Sequence, residues 1–428
     1  MSRRTLRPIT AATAVLSALA LTATSATVVQ ADDHPPADHV VLVALDGFDA
    51  DYVGRAPTPH LDALVENGSL TTSTGVMPSI TNPSWSSVAT GAWPSTHHNT
   101  AYWFDPTSGT ARGQQRDLAV PTIAQAVREQ GGTVFSAQWF ILQDYGVTYG
   151  DPQGLYTQPG GDCSRRVDDA VAVIAGEPVS SGGAMVTTEV VPQLLTVYCD
   201  TLDAIGHRGG AEDPALAAAL TEVDAQIGRL VQATKDAGIY GRTAFIVTGD
   251  HGMTTFDRGF ADEALAAISD VGYEAEILTA GHAPAPSTDV AIVVGGVADL
   301  TLLGDAAGDR RAELRIRRAL ATLPQVRAVY GETAQRLMHM SPHHGDLIVE
   351  PKPGWSFGTD PATAVGRHGA TTELQVPLVI AGSGVRDGRS PRGPRHVDLA
   401  PTMAALLGIE PPSGSEGRVL REVLSGRR

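Results

Sequence analysis

Val40-Val41-Leu42-Val43-Ala44-Leu45 is an unbroken apolar run that stops at Asp46-Gly47. A strand with one wet face alternates polar and apolar residues, whereas an unbroken run reads as a strand covered on both faces. Residues 192–200, 243–248 and 376–381 carry further strand patterns. Helical stretches lie between them. Residues 58–68 have Pro59 near the start and Gly68 as a stop, and residues 120–131 end in Gly131-Gly132. Residues 213–238 keep Leu216, Leu220, Val223, Ile227, Leu230 and Val231 on one face. A last helix opens near His396 and ends at Leu407. Strands alternating with helices predict an α/β fold, a three-layer sandwich around a mainly parallel sheet. Such sheets place their sites beyond the carboxyl ends of the strands, where Asp46 falls.

The rest of the chain is organised around this core. Arg3, Arg4 and Arg7 precede a small, apolar stretch from Ala11 to Val28, and Val29-Gln30-Ala31 fits a cleavage site. Residues 1–31 therefore read as an export signal, with no transmembrane segment left after its removal. Ser2-Arg3-Arg4 also resembles a twin-arginine start. The catalytic core is expected over residues 38–253 and 346–420. Residues 254–345 change rhythm, with a short helix near 263–269, strands at 290–294 and 326–330 and a helix at 307–323. They read as a small inserted, cap-like subdomain. Residues 138–185 read as irregular. The formal charge of −16 excludes a general basic surface for nucleic acid, but a small anionic substrate is compatible with it because bound cations reverse a local field. The two cysteines, Cys163 and Cys199, leave a disulfide and two buried thiols both open, and are too few for a cysteine metal site.

The chemistry starts at Thr81. The stretch 77–90 is a hydroxyl-rich turn running into a helix, with Thr81 or Asn82 as cap and Pro83 in the first turn. Taken locally this is a capped turn. A helix start also gathers free N–H groups and partial positive charge, which suits a phosphoryl oxygen and makes Thr81 a candidate nucleophile. Possible ligands recur at strand ends: Asp46, Asp203 with His207, Asp250 with His251, and His368. Asp and neutral His suit Zn²⁺ and similar ions. Six ligands divide into two sets of three, and two ions could stabilise both the entering and the leaving oxygen of an in-line displacement.

These motifs resemble the alkaline phosphatase superfamily, most of all its type I phosphodiesterase/nucleotide pyrophosphatase branch, with phosphonoacetate hydrolase a near relative. The resemblance rests on Val43 to Phe48, Thr58 to Leu64, Pro78 to Pro83, Thr90-Gly91 with Pro94 and His97, Tyr198 to His207, Thr248 to Met253, His368-Gly369, and Asp398 to Gly408 with Gly417. It implies an alkaline phosphatase-like fold and two divalent ions, Zn²⁺ in the first place. Asp203, His207 and His368 would hold one ion, and Asp46, Asp250 and His251 the other. Thr81 would form a phosphothreonine on a small phosphoester substrate, nucleotides among them. One position departs from the branch. Its loop after the nucleophile helix carries an Asn that binds a phosphoryl oxygen; here Ala101-Tyr102 stands at that place and His98-Asn99 replaces Gly-Ile. Either Asn99 takes over or the oxygen is held by backbone or metal. Tyr102, Trp103 and Phe104 could stack on a leaving group or pack on the core.

The sequence thus predicts an exported phosphodiesterase or pyrophosphatase, secreted or otherwise extracytoplasmic. Phosphonate hydrolysis, phosphomonoester hydrolysis and an inactive metal-binding surface module are the alternatives. A monoesterase usually offers an extra cation to the third phosphoryl charge, and the only two lysines, Lys235 and Lys352, lie outside every motif. A sulfatase is disfavoured because no Cys or Ser occupies the Cys/Ser-x-Pro-x-Arg position.

Overall fold

The computed structural model describes residues 35–425, so the expected export signal at residues 1–31 lies outside the described residues. In chain order the strands of the two larger sheets are β1 (His39–Leu45), β2 (Gly68–Thr74), β3 (Val134–Ala137), β4 (Gly154–Thr157), β5 (Leu194–Cys199), β6 (Thr243–Gly249), β7 (Ala275–Leu278), β8 (Val290–Gly295), β9 (Val297–Leu302), β10 (Val326–Gly331), β11 (Leu347–Pro351) and β12 (Gln375–Gly382). The helices used below are α1 (Pro59–Glu66), α2 (Thr81–Thr90), α3 (Ile123–Glu129), α4 (Cys163–Ile174), α5 (Thr201–Gly209), α6 (Ala215–Asp236), α7 (Ala261–Ser269), α8 (Arg310–Ala321) and α9 (Leu399–Leu407).

The central sheet has seven strands in the order β2-β12-β6-β1-β5-β3-β4. β1 lies between β6 and β5, parallel to both, while β12 pairs antiparallel with β6 and with β2. The expected mainly parallel sheet is therefore present, with one strand reversed. Every residue of β1 is buried. Val41, Val43 and Leu45 face α4 and α6, whereas Val40, Leu42 and Ala44 face α2, α3 and α9. This two-sided burial is why the run is unbroken in sequence.

Trp85 of α2 has no exposed surface and meets the ring of Trp139 edge-on at 5.7 Å. Trp85→Ala should cost about 3–5 kcal/mol, because it removes a large side chain the surroundings cannot refill. Chemical denaturation of the purified chain would measure it.

A second, five-stranded sheet has the order β7-β8-β9-β11-β10. Its fourth strand, β11, lies beyond residue 345, the expected end of the insertion. One face packs Ile292, Leu300 and Val349 against Ile268 of α7 and Ile316 and Leu320 of α8. The other packs Ala291 and Val293 against Phe104 and Ala111. Those last two belong to a hairpin of Ala101–Asp105 and Thr110–Gln114, so the aromatic stretch read as a loop is a strand. The stretch read as irregular, 138–185, contains β4 and the twelve-residue α4. Asp162 caps α4 by accepting from the Arg165 N–H, and Cys163, Arg166, Val167, Ala170, Val173 and Ile174 form its buried face.

Cys163 and Cys199 are disulfide-bonded across 36 residues of sequence, tying the start of α4 to the end of β5. Replacing both with serine should cost about 3–4 kcal/mol for a closed loop of this length. Reduction of the intact chain, followed by thermal unfolding, tests the same link.

Candidate metal centre and nucleophile

The functional side chains stand where strands end. Asp46 follows β1, and Asp250 with His251 follows β6. Asp203 and His207 sit one turn apart on α5, and His368 follows the short strand Val365–Arg367. Gly47 lets these ends converge. Its φ is +68°, and a Cβ there would come within 2.8 Å of the Asp203 Cα, so a side chain at this turn would push β1 and α5 apart.

Two triads result. Asp203 Oδ1 lies 3.3 Å from His207 Nε2 and 3.6 Å from His368 Nε2, and the two imidazole nitrogens are 3.1 Å apart. His251 Nε2 lies 3.3 Å from Asp46 Oδ1 and 3.3 Å from Asp250 Oδ2. The rings of His251 and His368 stack at 3.5 Å and join the two triads. Asp46, Asp250, His251 and His368 are buried; Asp203 is partly buried and His207 is exposed, so this side of the centre opens to solvent.

The donor set fits divalent cations. In each histidine Nδ1 faces a backbone carbonyl: Gly366 for His207, Gly252 for His251 and Ser79 for His368. Donation to these carbonyls leaves the three Nε2 lone pairs turned inward, the arrangement that metal-binding histidines use. Asp46 Oδ1, Asp203 Oδ1 and Asp250 Oδ2 are buried and have no hydrogen-bond partner. Three orphaned carboxylate oxygens beside three imidazoles call for positive charge.

The buried carboxylates and imidazoles perturb one another strongly. Burial, reinforced by Asp46, pushes Asp203 up to about 6 and Asp250 well above the usual carboxylate range. Burial acts the same way on Asp46, but the neighbouring His251, then the Tyr198 hydroxyl, outweigh it and lower its pKa. Burial opposes a charge on His251, yet Asp250 and Asp46 raise it to about 10. Burial, then the neighbouring His251 and His207, hold His368 well below the imidazole range.

Thr81 is the first residue of α2, and its hydroxyl lies 3.2 Å from His251 Nε2. It was expected that Thr81 or Asn82 would cap the helix. The cap position belongs instead to Ile80, which makes no side-chain cap. The Asn82 amide turns away to the Gln115 carbonyl, and the Thr81 hydroxyl is left facing the centre.

Asn99 braces α2, and Tyr102 packs against the second sheet. The Asn99 amide nitrogen donates to Ser86 Oγ at 2.7 Å and to the Asn82 carbonyl at 3.4 Å, so its donors serve α2. The Tyr102 ring lies against Gly295 of the second sheet, where a Cβ would come within 2.1 Å of it. His97 is buried and contacts Ser87 Oγ at 2.9 Å, another brace on α2. Reasoning from residue types missed Ser79. It accepts the Gly369 N–H, donates to the Ala370 carbonyl and positions His368 through its own carbonyl. Only its place two residues before Thr81 pointed to it.

This sheet, with these residues at its strand ends, is that of an alkaline phosphatase-like α/β protein. The family model "Type I phosphodiesterase / nucleotide pyrophosphatase" matches residues 40–371, and the chain belongs to that family. An uncharacterised pyrophosphatase/phosphodiesterase of Schizosaccharomyces pombe is 28% identical over 229 residues, 50% of this chain and 44% of that protein. Human ectonucleotide pyrophosphatase/phosphodiesterase family member 5 is 26% identical over 262 residues, 56% of this chain and 49% of that one. The chain thus spans about half the length of these curated relatives. The solved structure of human ENPP5 aligns with 90% of this chain and 100% of its own, with a TM-score of 0.71 at 19% identity. Inactive murine ENPP5 (T72A) in complex with AMP aligns with 87% of this chain and 96% of its own, with a TM-score of 0.68 at 19% identity.

Proposed function

We propose that this chain hydrolyses phosphodiester or pyrophosphate bonds, with Thr81 as nucleophile and two divalent ions, Zn²⁺ in the first place. The observation that carries this is the Thr81 hydroxyl at the start of α2, 3.2 Å from the His251 nitrogen and beside the two Asp/His triads. Asp203, His207 and His368 would hold one ion, and Asp46, Asp250 and His251 the other. Bound there, the ions supply Lewis acidity, which favours the alkoxide form of a hydroxyl and offsets charge on phosphoryl oxygens.

The chain's own residues do the rest. α2 fixes Thr81 for in-line attack. The Thr81 and Asn82 N–H groups, in a first turn without intrahelical acceptors, favour an anionic oxygen. Backbone donors of this kind offer a substitute for the family's Asn, since the Asn99 amide is engaged by α2. The Thr81 oxygen bonds to phosphorus as the ester oxygen departs, and water then releases the phosphoryl group and restores the hydroxyl. In-line displacement puts the entering Thr81 oxygen and the departing ester oxygen at opposite apices of phosphorus, so the leaving group exits on the side away from Thr81.

Nucleotides are the favoured substrates. One relative, from Bos taurus, is named a bis(5'-adenosyl)-triphosphatase, and the murine ENPP5 complex holds AMP. Residues 254–345 are proposed as a cap: Gly296, between β8 and β9, lies so close to His368 that a Cβ would be 1.6 Å from its carbonyl oxygen. Export is supported by the disulfide, which forms in oxidising compartments. Among the described residues no helix is long and apolar enough to cross a membrane.

Parallel kinetics on p-nitrophenyl phosphodiester, phosphomonoester, phosphonate and sulfate substrates, with metal analysis of the same sample, tests the reading. The diester should give the highest kcat/KM, with about two divalent ions per chain. A monoester or phosphonate well ahead of the diester would overturn the substrate class. A metal-loaded chain that hydrolyses none of them would overturn the enzymatic reading.

A further inference from the structure

We infer that Tyr198 is a positioning residue for the Asp46 side of the centre: its hydroxyl holds one oxygen of Asp46 so that the other faces His251 and Asp250. The inference rests on the two ligand sets proposed above and concerns how one of them is kept in shape.

Tyr198 lies on β5 opposite Ala44 of β1, two residues before Asp46. Its hydroxyl donates to Asp46 Oδ2. The other oxygen, Oδ1, is the orphaned one, 3.3 Å from His251 Nε2. A carboxylate anchored at one oxygen cannot rotate without breaking that hydrogen bond, so the free oxygen keeps a single direction. Outer partners of this kind orient metal ligands in general.

The tyrosine is itself held on several sides. Trp85 meets its ring edge-on at 6.3 Å and Phe140 at 5.5 Å. The Arg166 guanidinium lies 5.5 Å from the ring centroid. Arg166 is buried and spends its donors on the Tyr198 carbonyl, the Gly161 carbonyl and Asp200. It stands on α4 one turn after Cys163, whose disulfide partner Cys199 is the residue next to Tyr198. The ring therefore has no room to swing, and the hydroxyl has one address. Trp85 belongs to α2, the helix that starts with Thr81, so one ring spaces the nucleophile helix from Asp46.

Tyr198→Phe keeps the ring and removes only the hydroxyl. The test uses the full chain, stripped of metal and titrated with Zn²⁺ against a chromophoric chelator, together with thermal unfolding of the metal-free form. Affinity at one of the two sites should fall about 10–100-fold, and the midpoint of the loaded form should fall further than that of the metal-free form, which loses only the hydrogen bond to Asp46. On an Asp46→Asn background the same substitution should have no further effect, because the hydroxyl acts through that carboxylate. Unchanged affinity at both sites would overturn the inference. So would an equal loss of affinity on the Asp46→Asn background, or a fall in the metal-free midpoint as large as that of the loaded form, since either would make Tyr198 a packing residue. Failure of the wild-type chain to take up any divalent ion overturns the proposed function and this inference together; uptake by wild type with unchanged uptake by Tyr198→Phe overturns the inference alone.

Discussion

Thr81→Ala should lower kcat by at least about 10⁴-fold while leaving the fold and metal uptake intact, since removal of a covalent nucleophile costs losses of this order. The substitution deletes a hydroxyl that is 3.2 Å from His251 and makes no helix cap, so little stability depends on it. Wild type quenched during turnover should carry a phosphoryl group on the peptide containing Thr81, and the alanine variant should not. Mass spectrometry reads both. A variant that keeps near-normal turnover would remove Thr81 from the mechanism, and Thr81→Ser offers the conservative control.

Removal of metal is the second large effect. Chelation should abolish hydrolysis, and Zn²⁺ should restore it. Stability should change as well, because a ligand bound only to the folded state adds about 4 kcal/mol at a thousand-fold excess over its Kd. The pH dependence of the stripped protein carries its own signature. Asp203 titrates near 6 in the fold against an ordinary 3.8, so its proton is held more tightly folded than unfolded. Its contribution to stability is present at low pH and is lost as pH rises from about 4 to 6. His251, raised from 6.5 to about 10, adds a loss across that higher interval. Bound cations would displace both protons and hold these groups deprotonated, so the loaded protein should lose this decline and instead gain stability as pH rises toward neutral. Thermal midpoints from pH 4 to 10, with and without Zn²⁺, test this; parallel curves would contradict it.

Much of the fold is legible because burial on two faces writes itself into β1 and its neighbours as unbroken apolar runs. Residues 213–238 were readable for a related reason: a long helix covering one layer repeats its apolar face often enough to show the period. β2 left no such mark. Its Gly68–Thr74 sequence is hydroxyl-rich, and it sits at the sheet edge where one neighbour suffices. α4 had a readable cap in Asp162 and an apolar repeat from Cys163 to Ile174, but the glycines before it made the region look irregular. In the centre, the residue types at strand ends pointed to the six Asp and His residues, and the structure brings all six together. The contacts made by Asn99 and Tyr102 were not legible. They depend on which face of α2 and which face of the second sheet the segment after α2 meets, and local sequence does not encode that.

The order in which these residues are made has a consequence in time. Asp46 leaves the ribosome early and His368 late, with the other ligands between them. At about 5–20 residues per second, roughly tens of seconds separate the first from the last. Throughout that interval the growing chain holds carboxylates and imidazoles but no finished pair of triads. On the ligand sets proposed above, both ion sites can be complete only once β6, α5 and the His368 turn have come together, after most of the chain has been made.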